Sequence, residues 1–399
     1  MRAFERLLKY AGYHTASDPL SENCPSTEGQ RVFALALAEE MRALGMVDVE
    51  VDEHAYVYGA IPSNVGEGGL VIGLIAHLDT VSDVPASPMN ASVIYCEKPV
   101  VTLKNGTAVS VEPAYVGKHL VVTDGNTLLG ADDKAGIAAI MTLAEELQQH
   151  PELRHGRIAV AFTPDEEIGR GADRFDVARF GATAAYTLDG GAFGEVEYEN
   201  FNAAAATVTI RGRNTHPGDA KGTMINALRV AMEFDGFFSP EERPETTEGY
   251  EGFYHLTEQS GTVDSATLSY ILRDHDAEKL EQKKSAMKTA AKALNARYGA
   301  EIVSVDIVDS YRNMAEIIAD HRYLIDAANE AVRACGREPI TKPIRGGTDG
   351  AQLSFKGLPC PNLGTGSHRF HSRTEYACVE EMDLCVEMLK HLITTYANM

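Results

Sequence analysis

The apolar positions of the chain fall into two textures. In the first half they form short unbroken runs at 70–76, 158–162 and 184–188, with no charge inside them. Runs of that length suit strands of a parallel sheet covered on both faces. Between them the spacing becomes helical: Ile137, Ile140, Met141, Leu143, Ala144 and Leu147 share one face. Residues 4–10 predict a short amphipathic helix. Thr27-x-x-Gln30 predicts a capping box opening a longer helix through Leu44, with Gly45 where a C-terminal cap belongs. Val47, Val49 and Val51 alternate with Asp48, Glu50 and Asp52, the pattern of a half-exposed edge strand. Residues 80–127 are irregular, rich in Pro, Gly and short strand-like pieces, and read as a long excursion. Strands alternating with helices point to an α/β fold built on a doubly wound, mostly parallel sheet.

From about residue 203 the texture changes. Strands at 206–211, 252–259, 266–273 and 302–308 and helices at 222–238 and 277–298 follow in the order βαββαβ, the ferredoxin-like split pattern. This predicts an inserted domain at 204–313 within a discontinuous catalytic domain, 1–203 and 314–399. The α/β texture resumes with a helix near 317–334, a glycine-rich loop from Arg345 to Gly350, and a helix from about 379 carrying Met382, Cys385, Leu389 and Leu392.

Composition narrows the classes. A length of 399 residues favours two domains, and 44% hydrophobic residues suffice for a sizeable core. Lys+Arg 36 against Asp+Glu 58, a net charge of −22, argues against nucleic acid or an anionic membrane as partner. The first residues carry charge within their apolar stretch, so no signal peptide is expected, and no run is long enough for a transmembrane helix. The six cysteines lack a Cys-x-x-Cys pair and are expected reduced, with the cytoplasm as compartment.

The chemistry sits where the apolar runs end. The first leads into His77-Leu-Asp79, the second through Pro164, which cannot donate to a ladder, into Asp165-Glu166-Glu167, and the third into Asp189-Gly-Gly. Asp132 stands at the start of the intervening helix, and His368 and His371 lie near the C-terminus. Singly, these read as a hydrogen-bonded pair, a solvated loop, a helix cap and a turn residue. Together they fall where open α/β sheets place their ligands. Crowded carboxylates need a positive partner, and zinc accepts both imidazole nitrogen and carboxylate oxygen. Two histidines and three carboxylates could hold two ions if one carboxylate bridges them.

The segments Ala76-His-Leu-Asp-Thr80, Leu129-Gly-Ala-Asp-Asp-Lys-Ala-Gly136, Phe162-Thr-Pro-Asp-Glu-Glu167 and Tyr186-Thr-Leu-Asp-Gly-Gly191 resemble, in order and spacing, the di-zinc aminoacylase and carboxypeptidase superfamily. Pro25-Ser-Thr-Glu-Gly29, Glu199-Asn-Phe-Asn-Ala203, His216-Pro-Gly, Thr247-Glu-Gly-Tyr-Glu-Gly-Phe-Tyr-His255 and Pro343-Ile-Arg-Gly-Gly-Thr-Asp-Gly350 extend the likeness across the chain and toward its tripeptide aminopeptidases. The resemblance implies that His77 and Asp189 bind one zinc, that Glu167 and His371 bind the other, and that Asp132 bridges both. Asp79 would orient His77 and Glu166 would be the general base, adjacent glutamates in an extended segment pointing opposite ways. Arg345 would take the carboxylate of a short peptide, and His216 would steady the oxyanion, with a homodimer through the inserted lid domain. The last histidine of that branch follows a Pro-Cys-Pro-Asn segment, here residues 359–362, which favours His371 over His368. The flanking Ser372-Arg-Thr374 departs from the family's Gly-Lys-His, and this bears on substrate preference. A carboxypeptidase or N-acyl amino acid deacylase of the same superfamily, and a non-catalytic peptide- or zinc-binding protein, remain alternatives.

Overall fold

The computed structural model describes residues 1–66, 68–87 and 89–397. They form two compact units, one of Met1–Tyr198, Met314–Lys342 and Thr348–Met399, the other of Glu199–Asn313 and Pro343–Gly347.

The first unit is built on a seven-stranded sheet in the order Val47–Val51, Val57–Ile61, Ile158–Thr163, Ile72–His77, Ala184–Gly190, Asn362–Gly364, Val196–Glu197. The four central strands run parallel, and the flanking ones are antiparallel to their neighbours. Ile72–His77 and Ile158–Thr163 are buried along their whole length, which is why their sequences carry no alternation. Register brings their carboxyl ends level: Ile72 lies opposite both Ile158 and Ala184, and His77 lies opposite Thr163. The helix Ala131–Gln149 is buried on nearly every side and packs against Ala3–Tyr10 and Val379–Ala397.

Several expectations are corrected. The helix Glu28–Ala43 starts after Thr27, but no capping box forms: Thr27 donates to the Ala16 carbonyl, and the Gln30 amide bonds Asp165. The sequence pattern gives no sign of the strand Val57–Ile61. All five of its residues are buried, and a side chain at Gly59 would lie 2.6 Å from Met41 Cε. The strand-like pieces expected in the excursion at 80–127 are short strands, and what the sequence does not show is where they pair. Ser92–Tyr95 and His119–Val122 join Tyr376–Cys378 and Ser367–His368 in a second, antiparallel sheet, which anchors both ends of the loop that carries His371. The helix expected at 317–334 is broken into Ala315–Ile318, a single tight turn, and Arg322–Ala334. The glycine-rich loop passes into a helix, Asp349–Phe355, capped by the Thr348 hydroxyl.

The second unit has the order Asn202–Arg211, Ala227–Asp235, Phe253–Gly261, Ser265–Asp274, Ala277–Tyr298, Val303–Tyr311, strand, helix, strand, strand, helix, strand. Its strands form one antiparallel sheet, and alternate residues such as Val208, Ile210, Leu268 and Leu272 meet Phe234, Met287 and Leu294 from the helices in a separate core. Pro343–Gly347, which the sequence places with the α/β domain, clusters with this unit.

Candidate active site

At the aligned strand ends, His77 Nδ1 lies 3.1 Å from the Asp79 carbonyl and 3.4 Å from Asp79 Oδ1. The Nδ1 proton is held there, so Nε2 presents its lone pair outward. That atom lies 2.9 Å from Asp132 Oδ1 and 3.5 Å from Asp189 Oδ1. Asp79 is fully buried and also holds the next turn, since its two oxygens accept the backbone N–H groups of Glu166 at 3.0 Å and Glu167 at 3.1 Å. One carboxylate thus fixes both a histidine on one strand and a turn after the next.

The other oxygen of Asp132 lies 3.1 Å from His371 Nε2, which is also 3.0 Å from Glu167 Oε2. Two groups of three candidate ligands therefore share Asp132: His77, Asp132 and Asp189, and Asp132, Glu167 and His371. Asp132 is free for this because its neighbour does the capping. Asp133 accepts the Gly136 N–H at Oδ1 and the His77 N–H at Oδ2, while Asp132 itself is non-helical. His368 lies elsewhere, stacked on Tyr376 and beside Tyr115, with Nε2 3.5 Å from Glu381.

The three consecutive carboxylates diverge. Asp165 turns back to accept from Ser26 and Gln30. Glu166 and Glu167 stand in a 3₁₀ turn, Glu166–Ile168, and not in the extended segment expected. Their side chains separate because successive residues of such a turn are rotated by about 120°.

Electrostatics show what the cluster lacks. Burial, with Asp132 close by, raises both Asp189 and Glu167 to about 7, and burial and Asp189 push Glu166 well above the carboxylate range. Against the effect of burial, Asp189, Asp132 and Asp79 drive His77 well above its ordinary value, and bonds to Asp132 and Glu167 lift His371 to about 10. Glu167 Oε1 is buried with no hydrogen-bond partner among the described residues. A proton on each histidine is a poor substitute for a divalent ion, and imidazole plus carboxylate is the donor set for a zinc-like ion. The residues fit a pair of metal ions.

The sequence left some contributors unnoticed. Asn362 accepts from Thr187 and from the Asp189 N–H at 3.0 Å and donates to Glu197 at 2.9 Å, fixing the strand that ends in Asp189. Asp349, on the glycine-rich motif, accepts from the Thr163 hydroxyl at 2.7 Å and lines a small pocket with His77, Glu166 and Asp189. In the second unit, Arg345 lies over the rings of Phe201 and Phe253 and donates to the carbonyls of Thr247, Gly249 and Glu251 and to the Thr247 hydroxyl. In this arrangement it clamps the 247–251 loop. His216 is largely exposed and accepts from the Gly218 N–H.

Two ligand groups that share one carboxylate at the ends of parallel strands define a candidate metal-dependent hydrolytic centre. The model of peptidase family M20/M25/M40 matches residues 119–395. The chain is 48% identical to peptidase T of Geobacillus kaustophilus over 400 residues, 98% of this chain and 97% of that one. It is 47% identical to peptidase T of Caldanaerobacter subterraneus over 405 residues, 100% and 99% of the two. Among solved structures it resembles aminopeptidase PepT of Bacillus cereus, with TM-score 0.79 and 23% identity over 99% of this chain and 98% of that one. It also resembles a tripeptidase of Staphylococcus aureus, with TM-score 0.81 and 21% identity over 100% and 98%. The chain belongs to peptidase family M20/M25/M40 and, within it, to the peptidase T family.

Proposed function

We propose that this chain removes the N-terminal residue from short peptides, tripeptides foremost, and that it does so with two zinc ions. His77 and Asp189 would hold one ion, Glu167 and His371 the other, and Asp132 both. The observation that carries this reading is the placement of Asp132, whose two oxygens face different histidines at 2.9 and 3.1 Å. Ions bound there would supply Lewis acidity, lowering the pKa of water toward about 7 and polarising a carbonyl.

The chain's own groups do the rest. Glu166, held by its backbone to Asp79, takes the proton of the attacking water and passes it to the departing amine. Asp79 keeps His77 in one tautomer and orientation. His216 is the proposed donor to the developing oxyanion. Arg345 is the proposed partner of the substrate's carboxylate, its fork exchanging loop carbonyls for a charged acceptor. No described helix is long and apolar enough to cross a membrane, and the cytoplasm is the proposed compartment.

The test compares a free tripeptide with its N-acetylated and C-amidated forms. Cleavage confined to the free peptide is expected, with loss on chelation. Cleavage of the acetylated form would instead indicate a deacylase or carboxypeptidase of the same fold. Binding of peptide without cleavage would indicate a binding protein.

A further inference from the structure

Four residues beyond His371 lies Glu375, a carboxylate only 2% exposed. Its Oε2 accepts the backbone N–H groups of Leu129 and Gly130, both at 2.8 Å, and its Oε1 accepts that of Asp132 at 3.1 Å. These bonds span more than 240 residues of sequence and join two loops. One loop presents Asp132 after Gly130, which has φ +70, and the other presents His371, which has φ +55 although it is not a glycine. A residue in the left-handed region holds that conformation only if its surroundings fix it. On the His371 side, the Glu375 N–H bonds the Ser372 carbonyl, and Tyr376–Cys378 follows directly in the small antiparallel sheet. Lys134, two residues after Asp132, is itself buried, with Nζ donating to the Tyr13 carbonyl.

We infer that Glu375 is a positioning residue for the second ligand group: one carboxylate sets the distance between the loop that bears the shared Asp132 and the loop that bears His371. Three N–H donors converge on it, and no neutral side chain offers two acceptor oxygens in that geometry. A glutamine in its place would turn an amide NH₂ toward at least one N–H. The inference rests on the metal-dependent reading. It adds that the second ion is held by a contact which touches neither ion nor substrate.

The test titrates metal-free wild type and Glu375→Gln with cobalt(II), following absorbance and ion stoichiometry, alongside kcat, KM and the melting temperature of the metal-free proteins. The wild type should bind two ions per chain. The variant should keep the tighter step within about threefold, weaken the other by about 10–100-fold, and lose kcat in proportion while KM moves less than about threefold. Glu375→Asp, which keeps both oxygens one methylene shorter, should recover part of the weaker step. A variant with a lowered metal-free melting temperature but wild-type ion affinities and kcat would make Glu375 a fold staple and overturn the inference. Failure of both variants to fold would overturn it equally, since the residue would then serve folding itself. A wild type that binds no ion is a different outcome and would sink the functional reading instead.

Discussion

Asp132 can face two histidines because Asp133 caps the helix and takes the His77 N–H. The sequence shows an Asp-Asp pair and points to Asp132, but it cannot show that the division of labour depends on the second aspartate. The same holds for the glutamates. The motif supplies Glu166 and Glu167; that they point apart follows from the 3₁₀ turn held by Asp79. Replacing Glu166 by Gln should leave the ion content at the wild-type value and lower kcat by about 10²–10⁴. Loss of ions along with activity would make Glu166 a ligand and not a base. A second residue-scale prediction concerns Glu197, whose carboxyl is raised to about 7 by burial and by Glu195, against the Asn362 bond. A raised carboxyl contributes its full stability below the ordinary carboxylate range and loses it as pH climbs through about 7. Glu197→Gln should therefore melt several degrees above wild type at pH 8 and near wild type at pH 4.5, the gain at pH 8 being at most about 3 kcal/mol. Equal shifts at both pH values would contradict the burial argument.

At the scale of elements, what could be read from the sequence was what is locally determined. Ile72–His77, Ile158–Thr163 and Ala184–Gly190 have runs long and apolar enough to declare themselves, and the helices Ala131–Gln149 and Ala277–Tyr298 show in their own residues. The strands Val57–Ile61, Val196–Glu197 and Asn362–Gly364 do not, because two to five residues carry no period and their pairing is set by neighbours distant in sequence. Glu375 and Asn362 escaped for the same reason: each is a common polar residue whose role arises only when two remote segments meet. Gly136 makes the point in reverse. It sits inside a helix, where alanine has the higher propensity by about 1 kcal/mol. A Cβ there would lie 2.1 Å from the Leu188 carbonyl oxygen, on the strand that leads to Asp189. Gly136→Ala should destabilise by about 1–3 kcal/mol in chemical denaturation despite its better propensity. A stabilised variant would show that the helix and strand are less tightly apposed.

At the scale of the whole molecule, the six-element order of the second unit was legible from its alternation of strands and helices. That Pro343–Gly347 clusters with it was not. Nothing in the residues of a glycine-rich loop says which unit it will join, and Arg345 makes its bonds to a loop about 95 residues earlier. The net charge of −22 says little about fold. The central claim is that two ions share one aspartate and that both are needed for turnover. The most direct measurement is the zinc content of the purified chain, followed alongside tripeptide hydrolysis as zinc is removed by chelation and then restored stepwise. Two zinc ions per chain, with activity lost on chelation and returning as the second site fills, is the expected result. A single ion per chain at full activity, or hydrolysis that survives complete removal of metal, would contradict it.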